Sequence, residues 1–75
     1  MTLHDYIQRL AKDAREAMAT RCGTSLGHLL QVAYGNRRAS ANLAIAIDRE
    51  TCGRVPCETT RPDIEWGYLR SRDAA

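Results

Sequence analysis

Two helical patterns separated by only a few residues constrain the fold of this chain more than any other feature. The first ends at Gly23, because a glycine just past a helix can adopt positive φ without a Cβ clash. Ser25 is a favourable N-cap for a second helix. The residues predicted to hold the pair together are Met18, Ala19, Leu29 and Val32. Two helices joined by about three residues, with glycine in the turn, predict a helix-turn-helix over about residues 15–34.

Helical patterns account for the rest of the chain as well. The first is predicted from Leu3 to about Ala11 with Thr2 as its cap, and the next from Ala14 or Arg15 to Cys22. A later helix is capped by Ser40 and ends near Thr51 and Cys52, with Gly53 as the stop, and a last short helix begins at Pro62. Val55 and Pro56 are predicted to be extended, because proline restricts the residue before it and lacks an N–H. We therefore expect one all-α domain of five helices over residues 1–70, and a tail at 71–75 that frays.

The size and composition of the chain exclude several classes of protein. Its 75 residues allow one domain, and no apolar run approaches the roughly 18 residues that span a membrane. Asp5 and Asp13 interrupt the first part of the chain, so no signal peptide is expected. An odd set of three cysteines is more typical of reduced thiols than of a disulfide-stapled secreted domain. We therefore expect a cytoplasmic protein.

Positive charge is concentrated in the middle third of the chain, although the net charge is only +2. No acid occurs from Ala17 to Ile47, while Arg21, Arg37 and Arg38 all lie in that stretch. A polyanion would be attracted there. An unevenly charged solvated surface would give the same pattern, so charge alone does not decide the function.

A helix-turn-helix binds DNA by placing the outward face of its second helix in the major groove. On this basis the predicted DNA-binding residues are Thr24, Ser25, Leu26, Gly27, His28, Gln31, Tyr34, Asn36, Arg37 and Arg38. Gln31 can pair with adenine, His28 can reach a base edge or a phosphate, and the two arginines follow the helix where the chain would meet the sugar-phosphate backbone. Leu26 can instead belong to the core, and the histidine and arginines can be ordinary surface residues.

The usual sequence patterns of catalytic and metal sites are missing. The candidate zinc ligands are Cys22, Cys52, Cys57, His4 and His28, and their spacing does not form two close ligand pairs. No phosphate-binding loop, nucleophile elbow or HExxH pattern occurs. Asp63 and Glu65 are expected to be solvated rather than catalytic. We therefore expect no enzymatic activity, no metal, no cofactor and no small-molecule substrate.

Most of the chain resembles a known family. The stretches that carry the resemblance are residues 14–38, Leu43-Ala44-Ile45-Ala46-Ile47-Asp48-Arg49-Glu50-Thr51 and Arg61-Pro62-Asp63-Ile64-Glu65-Trp66. They resemble the YdaS-like, Cro/CI-type regulators of phages and prophages, in which an LAIxIExxTGG helix follows the helix-turn-helix and an LRPDIxW string closes the domain. Here Cys52 stands for the first glycine of the pair, and Thr60 stands for the leucine before Arg61.

This resemblance implies a compact five-helix fold of the Cro/lambda-repressor type and sequence-specific binding to an operator in double-stranded DNA, usually by a homodimer that represses transcription. By position, the groove-facing residues would be Ser25, Leu26, Gly27, His28 and Gln31, with Arg37 and Arg38 near phosphate. The family more often has Ser-Gln where this chain has Ser25 and Leu26. Some relatives are described as toxins or antitoxins. The alternative is therefore a helical protein-interaction module, with Leu26, Leu30 and the segment from Trp66 to Leu69 as its apolar contact surface.

Overall fold

Helices make up every regular element of residues 1–69, the part of the chain that the computed structural model describes. In chain order they are α1 (Leu3–Gln8), α2 (Lys12–Arg21), α3 (Leu26–Ala33), α4 (Ala41–Glu50) and α5 (Cys57–Thr60), and a sixth, α6, includes residues 66–69. The predicted all-α class is confirmed, whereas the predicted count of five helices is wrong. None of the described helices is long and apolar enough to cross a membrane. The tail predicted at 71–75 lies outside the described residues.

Three side-chain caps that the sequence predicts are present. Thr2 Oγ1, Ser25 Oγ and Ser40 Oγ each accept a hydrogen bond at 3.1 Å from the backbone N–H three residues further on. Each of these caps satisfies one of the N–H groups that the first turn of a helix leaves without an intrahelical partner. The starts of α1, α3 and α4 are therefore determined locally, by a single hydroxyl residue each.

Three helices also end in the same way, with two backbone hydrogen bonds around a residue of positive φ. After α2 that residue is Gly23 (φ 75°), and after α3 it is Gly35 (φ 80°). After α4 it is Cys52 (φ 54°), whose N–H donates to Arg49 O at 3.2 Å, while the N–H of Gly53 donates to Asp48 O at 2.9 Å. The predicted stop after α4 is therefore one residue too late, since Cys52 takes the position that a glycine takes elsewhere.

The junction of α1 and α2 differs from the prediction by a few residues. α1 ends at Gln8, earlier than expected, and α2 begins at Lys12, also earlier than expected. Arg15 bridges this junction, because its Nε donates to the carbonyl oxygens of Ile7 and Leu10, both at 3.0 Å. A side chain of α2 thus binds two carbonyls near the end of α1, and that of Ile7 also accepts from the N–H of Leu10 at 3.0 Å.

Helix α5 is the element that the sequence analysis did not predict. Pro56 has the extended backbone expected for it and stands at the N-cap of α5, where it offers no side-chain acceptor. The N–H of Cys57 donates instead to Asp48 Oδ2 at 3.0 Å. Because this acceptor comes from α4, nine residues earlier, no local pattern could have revealed the start of α5.

The last helix begins at Trp66 rather than at Pro62, because residues 61–65 form a separately stabilised turn. Arg61 donates from Nε and Nη2 to the two carboxylate oxygens of Asp63, each at 2.8 Å. The indole Nε1 of Trp66 donates to the carbonyl oxygen of Arg61, also at 2.8 Å. These side-chain bonds hold a turn where the proline pattern predicted the first turn of a helix.

The main core lies between α1, α2, α3 and α4. Its buried residues are Leu3, Ile7, Met18, Ala19, Leu29, Ala39, Leu43, Ile47 and Val55. A smaller cluster of Ala44, Cys57 and Trp66 joins α4 to α5 and α6. Since α4 contributes to both clusters, it connects the first three helices to α5 and α6.

Candidate nucleic-acid interface

Helices α2 and α3 are joined by residues 22–25 and pack against each other. Met18 and Ala19 of α2 are buried, and so is Leu29 of α3, as the sequence predicts for the contact between the two helices. Val32, the other predicted anchor, is half-buried and packs against the same core. Residues held in this way leave the opposite side of α3 turned towards solvent.

The outward side of α3 carries several of the predicted DNA-binding residues, but not all of them equally. Ser25, Gly27 and Gln31 are exposed, whereas His28 is half-buried. Leu26 is also half-buried and packs against the main core. The expectation that Leu26 faces outward therefore needs correction, because its helical position turns the side chain towards the core and leaves it only partly accessible.

A shallow cleft of about 310 Å³ connects the start of α3 to the start of α4. Its polar lining consists of Thr24, His28, Ser40 and Asn42. α4 has ten residues, no acid in its first turn and Ser40 at its N-cap, so its positive dipole end opens beside the turn between α2 and α3. Ser40 is predicted from the sequence only as a cap and Asn42 is not predicted at the site, because no local pattern places the start of α4 beside Thr24 and His28.

The loop after α3 holds the remaining predicted residues. Tyr34, Asn36, Arg37 and Arg38 are all exposed. Tyr34 packs its ring edge-on against His4 of α1, with 5.2 Å between ring centroids. Arg37 and Arg38 line a second cleft, of about 320 Å³, between this loop, the start of α1 and the end of α5. The two arginines thus lie at the opposite end of α3 from Ser25.

The acid-free middle of the sequence is not free of acids in space. Arg21 Nε lies 3.2 Å from Glu50 Oε2 of α4, and Arg38 Nη1 lies 3.8 Å from Asp63 Oδ2. Within residues 1–69, Arg37 forms no ion pair. The structure therefore neutralises part of the positive charge that the linear sequence concentrates there, and Arg37 remains its least compensated member.

Asp63 is held tightly by its other partner. The two hydrogen bonds from Arg61 lower the pKa of the Asp63 carboxyl to about 2, and the charge of Arg38 adds to this shift. The same hydrogen bonds raise the pKa of the Arg61 guanidinium. Both groups are therefore charged throughout the neutral range, and a full negative charge lies beside Arg38.

One group of side chains in the described region has the composition of a metal site. One ligand atom each of Asp48, Cys57 and Glu58 lies within 4.8 Å of the others. The Sγ of Cys57 donates to Glu58 Oε1 at 3.2 Å, and burial, the largest cause, together with the two carboxylates raises the pKa of this thiol to about 11. A metal ion would have to displace the thiol proton. The group contains no close pair of cysteine and histidine residues, so the sequence pattern does not predict it.

These features define a class: small all-helical proteins in which a polar helix face is exposed beside a second helix N-terminus and a basic loop. The chain belongs to the YdaS toxin family, since the family described as "Bacterial toxin YdaS" matches residues 13–69. The resemblance noted from the sequence is thereby confirmed.

A curated relative carries a different description. The chain is 45% identical over 56 residues to a protein of Escherichia coli (strain K12) named "Putative transcriptional regulator YdaS". The match covers 75% of this chain and 57% of that protein, so the chain spans little more than half of the relative's length. The family description names a toxin, and the name of this relative names a regulator.

Proposed function

We propose that this protein is a non-enzymatic, cytoplasmic transcriptional regulator that binds double-stranded DNA through α2 and α3 acting as a helix-turn-helix. The observation that carries the proposal is the placement of α3. Leu29 anchors the helix from behind, while Ser25, Gly27 and Gln31 stay exposed on the other side. An anchored helix that keeps its N-cap serine, Gly27 and Gln31 accessible is suited to enter the major groove.

Each part of this surface has a role in the proposed complex. Gln31 would pair with adenine through its amide, and His28 would reach a base edge or phosphate. The N–H groups at the starts of α3 and α4, with Ser25 and Ser40, would hold phosphates. Arg37 and Arg38 would neutralise phosphates beyond the other end of α3.

The finer proposal is that the protein acts as a Cro-like repressor of phage or prophage genes and binds its operator as a homodimer. It is supported by the sequence resemblance and by the regulator name of the relative from Escherichia coli. Paired protomers would place two recognition helices about 34 Å apart, one turn of B-DNA. The operator would then be a palindrome with half-sites about 10 base pairs apart.

Selection of bound sequences from random duplex DNA tests this proposal directly. We expect enrichment of a palindromic site, and retardation of that site that weakens steeply as the salt concentration rises. Gln31→Ala should change the preferred base at one position of each half-site. The matched control is Gln8→Ala, which removes the same side chain from an exposed position of α1 and should leave the preference unchanged.

The contribution of the loop that carries Arg37 and Arg38 is tested with the same selected site. Arg37→Ala should lower the affinity for every duplex by a similar factor. The slope of log affinity against log salt concentration should become shallower by roughly one. Arg9→Ala, an exposed arginine of the α1 C-terminus, is the control and should have a smaller effect. If no sequence is enriched and no duplex is retarded at low salt, the proposal is wrong.

A second candidate function is a protein-interaction module, as in a toxin–antitoxin pair. It is favoured by three apolar side chains exposed on α4 and α6, those of Ile45, Tyr68 and Leu69, and by the family description as a toxin. An adjacent gene for a second small protein would favour this candidate, whereas a divergent repressor gene would favour the DNA-binding one.

A further inference from the structure

We infer that Asp63 is a built-in competitor of DNA phosphate for Arg38 and so attenuates the affinity of this protein for DNA. The inference rests on the proposed function and names a residue outside the proposed reading surface. Asp63 Oδ2 lies 3.8 Å from Arg38 Nη1, although 25 positions separate the two residues in the sequence. A phosphate that Arg38 binds in this position therefore lies close to a carboxylate.

The position of this carboxylate is determined by the fold rather than by chance on a mobile surface. Arg61 binds both oxygens of Asp63 at 2.8 Å. The same guanidinium donates through Nη1 to the carbonyl oxygen of Ala39 at 2.8 Å. Ala39 is buried in the main core and directly follows Arg38. Only 17% of the Arg61 side chain is exposed, so one partly buried arginine joins the turn at residues 61–65 to the loop that carries Arg38.

The contact between Arg38 and Asp63 is much looser than the contact between Arg61 and Asp63. Arg38 Nη1 lies 3.8 Å from the carboxylate, beyond hydrogen-bonding distance, and 74% of the Arg38 side chain is exposed. Arg38 can therefore rotate towards a phosphate, while Asp63 stays where Arg61 holds it. The cost of binding is then the lost ion pair and the repulsion between Asp63 and the phosphate, and it applies to every duplex irrespective of sequence.

The test is a double-mutant cycle on the binding of the selected site and of an unrelated duplex. Asp63→Asn should raise the affinity for both duplexes about two- to fivefold at low salt, the range expected for an exposed ion pair, and should make the salt dependence steeper. The gain should disappear when Arg38→Ala is also present, because the competition acts through Arg38. A merely structural role would not move the salt dependence in this way.

Glu65→Gln is the matched control, since it removes one negative charge from an exposed position two residues further on. If Asp63→Asn and Glu65→Gln raise affinity equally, or if the gain persists without Arg38, Asp63 acts only as general surface charge and the inference is wrong. If the native chain binds no duplex, the proposed function is wrong and the inference falls with it.

A comparison without any change at Asp63 keeps the inference testable if Asp63→Asn does not fold. Arg37 has no acidic partner among the described residues, whereas Arg38 has one. Arg37→Ala should therefore cost more affinity than Arg38→Ala, by about the same two- to fivefold factor. An equal or reversed order would contradict the inference.

Discussion

Helices α3 and α4 follow each other in the chain and begin with the same serine cap, yet they bury very different surfaces. α4 buries Leu43, Ala44, Ala46 and Ile47. α3 is also rich in apolar residues but fully buries only Leu29. The other apolar residues of α3 are half-buried against the core. α4 thus holds the fold together, while α3 fully buries one side chain and leaves only Gly27 and Gln31 exposed.

The largest effect that follows from this comparison is expected at Ile47. This side chain is fully buried in the main core, and Ile47→Ala should lower the free energy of unfolding by about 2–5 kcal/mol, because it leaves a cavity that the surroundings cannot fill. Ile45→Ala is the matched control two residues earlier in α4, where 46% of the residue is exposed; its effect should be within about 0.5 kcal/mol. Urea denaturation measures both.

A small domain can unfold altogether after such a loss. Ile47→Val, with an expected cost of about 0.5–1.5 kcal/mol, keeps the comparison measurable in that case. Equal costs at the two isoleucines would show that α4 is not the structural helix described above.

Alanine substitutions at two glycines around α3 should have smaller effects on the free energy of unfolding, and the two effects should have opposite signs. Gly27 lies inside the helix, and a Cβ added there meets nothing within 4 Å. Gly27→Ala should therefore raise the free energy of unfolding by about 1 kcal/mol. Gly23 has equally open surroundings but a φ of 75°, so Gly23→Ala should lower the free energy of unfolding by about 1 kcal/mol.

The same Gly27 variant also tests the assignment of α3 to DNA. If the backbone at Gly27 approaches a base or phosphate closely, Gly27→Ala should weaken duplex binding while it stabilises the fold. A variant that is both more stable and unchanged in DNA binding would place Gly27 outside the contact surface.

The smallest effect is expected at the end of α4. Cys52 is a residue of positive φ that is not glycine, and a side chain in this conformation costs about 1–2 kcal/mol relative to the right-handed region. Cys52→Gly should therefore raise the free energy of unfolding by up to about 1 kcal/mol, since glycine regains part of the strain but loses more chain entropy on folding. Cys52→Ala keeps a Cβ and should show no such gain; equal gains for both variants would point to the thiol instead.

Much of the fold was predictable because helices are specified by neighbouring residues. The caps at Thr2, Ser25 and Ser40 act over three residues, and the stop at Gly23 requires only one residue of positive φ. The anchors of α3 follow from spacing along one helix face. The existence of α1 to α4 and the contact between α2 and α3 could therefore be predicted from local patterns alone.

The candidate site was predictable only in part, because its surroundings come from distant parts of the chain. Ser25, Gly27 and Gln31 are exposed as their helical positions suggest, whereas Leu26 is half-buried against the core. Asn42 joins the cleft beside His28 only through the packing of α4. Exposure and neighbourhood depend on which helix packs where, and a single helical pattern does not contain that information.

The sequence by itself determined that the first four helices exist, which side of α3 is anchored, and the family to which the chain belongs. Only the tertiary structure decided how its charges are compensated. Glu50 reaches Arg21 across 29 positions, and Arg61 reaches Ala39 across 22. Asp48 starts α5 from within α4. Helical order arises from contacts three or four residues apart, whereas electrostatic interactions depend on distance in space, which only the packed chain defines.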